Sequence, residues 1–125
     1  MNDWRDQEAR NETQSRDRNE WIEGIRGEMG EGDPTEMYVC ECGDATCVEQ
    51  IRLTRPEYEA VRGYSTRFAI AVDHENPEID RVVSEHERYA IVQKTLRMAV
   101  RIARETDPRR MVHAADAAEG VPGDA

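Results

Sequence analysis

Three cysteines fall within eight residues, Cys40-Glu41-Cys42-Gly43-Asp44-Ala45-Thr46-Cys47, and no other segment constrains this chain as much. In extended backbone, residues i and i+2 project to the same side, so Cys40 and Cys42 face one ion where a strand runs into a loop. Gly43 permits the tight reversal that returns Cys47 to that ion, and loop N–H groups can then donate to the thiolates. The competing disulfide is disfavoured. Cys40 and Cys42 are too close to bridge without strain, and the cysteine count is odd. Three separate buried thiols is the plainest alternative.

Closed tetrahedral zinc needs a fourth ligand, and the chain has three histidines. His113 falls in a tail poor in apolar bulk. His86 falls on the apolar side of an expected short helix, where a core histidine is the ordinary explanation. His74 follows the end of an apolar run, Phe68-Ala69-Ile70-Ala71-Val72, which reads as a buried central strand. The expected site is therefore Zn2+ held by Cys40, Cys42, Cys47 and His74. Asp44, Glu75 or a water stands next in line should His74 not serve.

A metal staple suits the composition. Residues 1–36 carry 5 basic and 11 acidic side chains, residues 37–106 carry 10 and 12, and residues 107–125 carry 2 and 4. The nearly neutral middle holds all the cysteines, all four tyrosines and the single phenylalanine, so the expected folded unit is 37–106. A core of that size seldom supplies more than roughly 3 to 5 kcal/mol, and small domains commonly add a metal or a disulfide. Residues 1–36 form a polar N-terminal helix and linker in this division, and 107–125 a disordered tail.

Around the cysteines, Met37–Cys40 and Val48–Leu53 read as the two strands of a hairpin. Thr54 with Pro56 and Glu57 opens a helix that Gly63 ends. Asn76-Pro77-Glu78, followed by Ile79, Val82, Val83 and His86 at helical spacing, predicts a second short helix. Tyr89–Val92 fits a strand, and Leu96, Ala99, Val100 and Ala103 mark an amphipathic helix over 95–106. Trp21, Ile22, Ile25 and Met29 mark a helix over 16–29. The preceding residues, with little apolar besides Trp4 and Ala9, are expected to be solvated and to fray. The fold class is α+β: a small antiparallel sheet bearing the zinc-bound cysteine hairpin, packed by helices, plus the N-terminal helix.

Several functions are disfavoured. No apolar run is long enough to span a bilayer, and the N-terminus lacks a secretory signal's apolar stretch, which makes a cytoplasmic protein the expectation. A formal charge of −10 argues against a phosphate-backbone binder. His74-Glu75 lacks the second histidine of a His-Glu-x-x-His site, because Glu78 stands there. The zinc deaminase signature, a phosphate loop and a nucleophile elbow are missing as well. Arg52, Arg55, Arg62 and Arg67, interspersed with Glu57 and Glu59, read as a mixed solvated face. Tyr58, Tyr64, Phe68 and Tyr89 offer a binding surface but are expected to be mostly core, and Trp4 reads as surface or partner-facing.

The pattern of Arg10-Asn11-Glu12, Cys40 to Cys47, Glu57 to Arg62, Phe68, His74-Glu75, Val82-Val83 and Tyr89 to Lys94 resembles a family of small, functionally uncharacterised actinomycete proteins. Relatives often carry Pro-Gly where this chain has Val72-Asp73. The resemblance implies that His74 belongs to the site, and it implies no activity. The expected function is a non-enzymatic zinc-stapled module for protein interaction or regulation, meeting a partner or a second copy through the N-terminal helix. The alternatives are a thiol redox or zinc-release switch, and a small zinc hydrolase with Glu75 or Glu41 as base.

Overall fold

The computed structural model describes residues 4–29 and 36–109. Its elements are α1 (Trp4–Met29), β1 (Glu36–Val39), β2 (Gln50–Leu53), α2 (Arg55–Arg62), β3 (Arg67–Ile70), β4 (Asp80–Glu85), β5 (Ala90–Lys94) and α3 (Arg97–Glu105), an α+β arrangement. β1 and β2 form the expected hairpin, with Glu36 opposite Leu53 and Val39 opposite Gln50. The remaining strands make a separate antiparallel sheet in the order β3-β5-β4. Two sheets thus replace the single one expected, because the chain leaves strand geometry at Cys40 to build the cysteine loop. The Glu41 N–H bridges them by donating to the Ala69 carbonyl at 2.9 Å.

α2 begins with a capping box in which Thr54 Oγ1 accepts from the Glu57 N–H and Glu57 Oε1 accepts from the Thr54 N–H. Tyr58 and Val61 then face the hairpin, and the Tyr58 ring stacks on Tyr38 at 4.4 Å between centroids. A second apolar cluster joins Phe68, Ile70 and Val92 to Cys40 and Cys42, so the cysteines lie against the core.

The segment expected as a helix over 76–86 is instead β4. Asn76 does start one turn, its carbonyl accepting from the Ile79 and Asp80 N–H groups, but the chain then extends and pairs with β5. A bulge between Val82 and Ser84 puts Val82 and Val83 out of strict alternation, so the apolar spacing imitates a helix. His86 consequently sits beyond the end of β4, exposed, with its ring stacked on Tyr89.

The first half of α1 is neither solvated nor frayed. Ala9, Glu12, Arg16, Asn19 and Glu23 are buried, and their spacing of three and four residues makes one continuous stripe. Most of that stripe is polar, which is why it reads as a solvent face. Of the apolar residues singled out there, Ile22 packs on the core while Trp21 is 70% exposed. The Met29 side chain, the linker over 30–35 and the tail over 110–125, with His113, lie outside the described residues.

Arg62 departs from the solvated face expected of it. Its guanidinium is fully buried and pairs with the carboxylate of Asp107, itself fully buried. Ser65 Oγ donates to Asp107 Oδ2 at 2.5 Å and the Arg109 N–H to Oδ1 at 2.8 Å. Arg109 in turn bonds both oxygens of Glu20 on α1. Residues 107–109 are therefore packed against the domain.

Burial alone would raise the Asp107 carboxyl, but the Ser65 hydroxyl, the Arg109 N–H and Arg62 together hold it below the usual range. Its contribution is present above the ordinary Asp pKa and is lost as pH falls through the lowered value. Asp107→Ala, which leaves Arg62 with only the Glu20 carboxylate at 3.5 Å, should cost about 3 kcal/mol by urea titration at neutral pH. The deficit should shrink as pH falls below about 4, where the unfolded chain's carboxylate takes up its proton before the native one does.

Candidate metal centre

β1 delivers Cys40 into the loop, and the Cys40 N–H still donates to the Glu49 carbonyl at 3.1 Å, carrying the hairpin pairing outward. Asp44 then folds the loop on itself. Its Oδ1 accepts from the Thr46 N–H at 2.9 Å and the Thr46 hydroxyl at 2.7 Å, and its carbonyl accepts from the Cys47 N–H. His74 arrives from the turn after β3, closed by the His74 N–H donating to the Ala71 carbonyl at 3.1 Å. Asp73 takes φ 72° in that turn. Ala71 also donates its N–H to Cys40 Sγ at 3.1 Å, so one residue positions two members of the site.

Cys40, Cys42, Cys47 and His74 come together, their ligand atoms all within 4.8 Å of one another. His74 Nδ1 lies 3.5 Å from Cys40 Sγ and 3.7 Å from Cys47 Sγ. Tetrahedral zinc, with bonds of about 2.3 Å to sulfur and 2.0 Å to nitrogen, has edges of about 3.5 to 3.8 Å. Two of the three edges through the imidazole, those to Cys40 and Cys47, already have that length. Backbone N–H groups of Asp44 and Glu49 further serve Cys42 and Cys47, as thiolate ligands require. Cys40 and Cys42 are buried, while Cys47 and His74 are half-exposed. The donor set and its spacing fit a metal ion.

Without an ion the thiols share protons. The hydrogen bond between Cys42 and Cys40 lowers Cys40 and, with burial, raises Cys42, while burial raises Cys47. A metal displaces these protons on binding.

The other candidates are not in the cluster. Asp44 is engaged with Thr46, and Glu75 is not among the four. Glu41, between two ligands in the chain, is engaged elsewhere. Its carboxylate accepts from Asn19 Nδ2 at 2.8 Å and from the Ala69 N–H at 2.9 Å.

Sequence reasoning missed the groups that hold the loop from α1. Asn19 Oδ1 accepts from the Val39 N–H, and its Nδ2 donates to the Val39 carbonyl, as a neighbouring strand would. Asn11 Nδ2 donates to the Gly43 carbonyl at 2.9 Å. The only available signal was the helical spacing of 12, 16, 19 and 23, masked by polarity.

No family model, curated protein or solved structure matches this chain.

Gly43 is buried against α1, where an added Cβ would stand 1.9 Å from Glu8 Cγ and 2.8 Å from the Glu8 carbonyl oxygen. The backbone oxygen has little room to yield. Gly43→Ala should therefore destabilise by about 1 to 3 kcal/mol in denaturant titration. Asp73→Gly should do the reverse, relieving a left-handed residue and adding about 0.5 kcal/mol, read as a small rise in thermal midpoint.

Proposed function

We propose that this protein is a non-enzymatic zinc-binding module whose metal is structural, and that the loop built around the ion seats α1 on the domain. The carrying observation is the meeting of three thiols and one imidazole, their ligand atoms all within 4.8 Å and the Nδ1–Sγ edges to Cys40 and Cys47 at 3.5 and 3.7 Å. Thiolate and imidazole donors favour zinc over hard cations. Four side chains complete the coordination sphere, leaving no open position for a substrate or an activated water, and Glu41 is committed elsewhere. These points weigh against the hydrolase reading.

The interaction role rests on the outward face of α1. Trp21 and Ile22 with Asp17, Arg18 and Val39 line a groove of ≈ 440 Å³. A protein partner would meet the module there, with the opposite face of the helix held by the metal loop. No helix among the described residues is long and apolar enough to cross a membrane.

The half-exposed Cys47 favours one second reading, a zinc-release switch, since an accessible thiolate is the first to meet an oxidant. Mild peroxide with a zinc-sensitive dye separates the two, because a purely structural site retains its ion.

The purified protein should hold one zinc per chain by elemental analysis. Chelation should lower the helical circular dichroism signal and the thermal midpoint together, and Cys42→Ser should lose the metal. A midpoint and spectrum unchanged after complete zinc removal would refute the structural role.

A further inference from the structure

Lys94 is the chain's one lysine, and it is buried. It sits on β5 directly across from Asp80 on β4, the two being Cα partners in the ladder. Its Nζ contacts Asp80 Oδ1 and, from α1, Glu12 Oε2, both carboxylates being buried. The Phe68 ring centroid lies 5.1 Å from Nζ. Asp80 Oδ2 accepts from the Asn76 N–H at 3.3 Å, and Asn76 Nδ2 bonds Glu8, the next carboxylate outward. Glu12 Oε1 has no hydrogen-bond partner although it is buried.

An ion pair needs one acid. Here a second is buried beside it with an idle oxygen, in a setting that strongly disfavours charge. Burial pushes the Glu12 carboxyl up to about 8, against the pull of Lys94, which brings proton uptake and release by Glu12 within reach beside the amine. The pocket therefore holds an amine, a carboxyl group in contact with it, and a proton donor and acceptor touching the amine.

We propose that Lys94 and Asp80 condense into a cross-strand isopeptide bond, with Glu12 relaying the protons. The Lys94 ammonium gives one proton, through Glu12, to the Asp80 carboxylate, leaving a neutral amine and a neutral acid. Nζ attacks Asp80 Cγ. The Asn76 N–H holds Oδ2, which becomes the amide oxygen. Glu12 takes the second Nζ proton and delivers it to Oδ1, which departs as water as the Cγ–Oδ1 bond breaks. Ammonium and carboxylate become amide and water, with no oxidant or co-reactant.

Fixing the partners on adjacent strands supplies effective molarities of about 10⁵ M or more for such a step. The reaction also removes two charges from an apolar site. The product ties β4 to β5 independently of the metal.

The test is the intact mass of the full-length folded protein, measured under denaturing conditions. The bond lowers it by about 18 Da, one water. Trypsin should then fail to cut after Lys94 and should release a branched peptide joining residues 68–81 to 89–97. Glu12→Gln, nearly isosteric, should form the bond about 100-fold more slowly or not at all while remaining folded by circular dichroism. A folded wild-type protein at full sequence mass, cleaved normally after Lys94, overturns the proposal. A folded Glu12→Gln protein that loses water at the wild-type rate overturns the role given to Glu12.

Discussion

Everything around the candidate metal centre depends on one carboxamide. Asn19 pairs its side-chain oxygen and nitrogen with the N–H and carbonyl of Val39, taking the place of a strand along the outer edge of β1. The same nitrogen donates to Glu41, whose other oxygen accepts from Ala69 on β3. Helix, hairpin and three-stranded sheet thus meet at two adjacent polar side chains, with Cys40 and Cys42 on either side of Glu41. An edge covered in this way is not free to pair with another chain. The register of Asn19 against Val39 also decides where Gly43 meets Glu8, so a displaced α1 would strain the loop that carries the ligands.

A polar seam of this kind is costly unless every group finds its partner, and its donors and acceptors must be held still to do so. The apolar clusters are small, and one of them is completed by the cysteines themselves. Coordination at the loop would fix Cys40 and Cys42, and through them Glu41. A metal therefore suits this fold for a reason beyond core size: it would rigidify the one stretch of backbone on which the seam is written.

The meeting of the three cysteines was legible in the sequence because their spacing encodes it directly, and the approach of His74 because an apolar run ends beside it. The helix over 76–86 was misread because one bulge in β4 converts alternation into an apparent helical period. The buried face of α1 was misread for a different reason. Glu12, Arg16, Asn19 and Glu23 have the periodicity of a core stripe, but their partners Lys94, Ser65, Val39 and Tyr38 lie 15 to 82 residues away, on elements whose placement no local pattern discloses. Periodicity survives in such a stripe, and hydrophobicity does not. Arg62 and Asp107 follow the same logic, each polar by type and buried among partners that include the other.

The charge distribution takes on a different meaning once these partners are known. The acidic excess of the first 36 residues is not simply solvated, since Glu12, Glu20 and Glu23 each meet a cation of the domain: Lys94, Arg109 and Arg55. Arg16 and Arg62 are buried near enough to repel, and burial together with that repulsion lowers the Arg16 pKa. Two such cations are tolerable where anions balance them. Asp107 and Glu41 act on Arg16 in the opposite sense, so the seam between α1 and the domain is held by compensated charge as well as by hydrogen bonds.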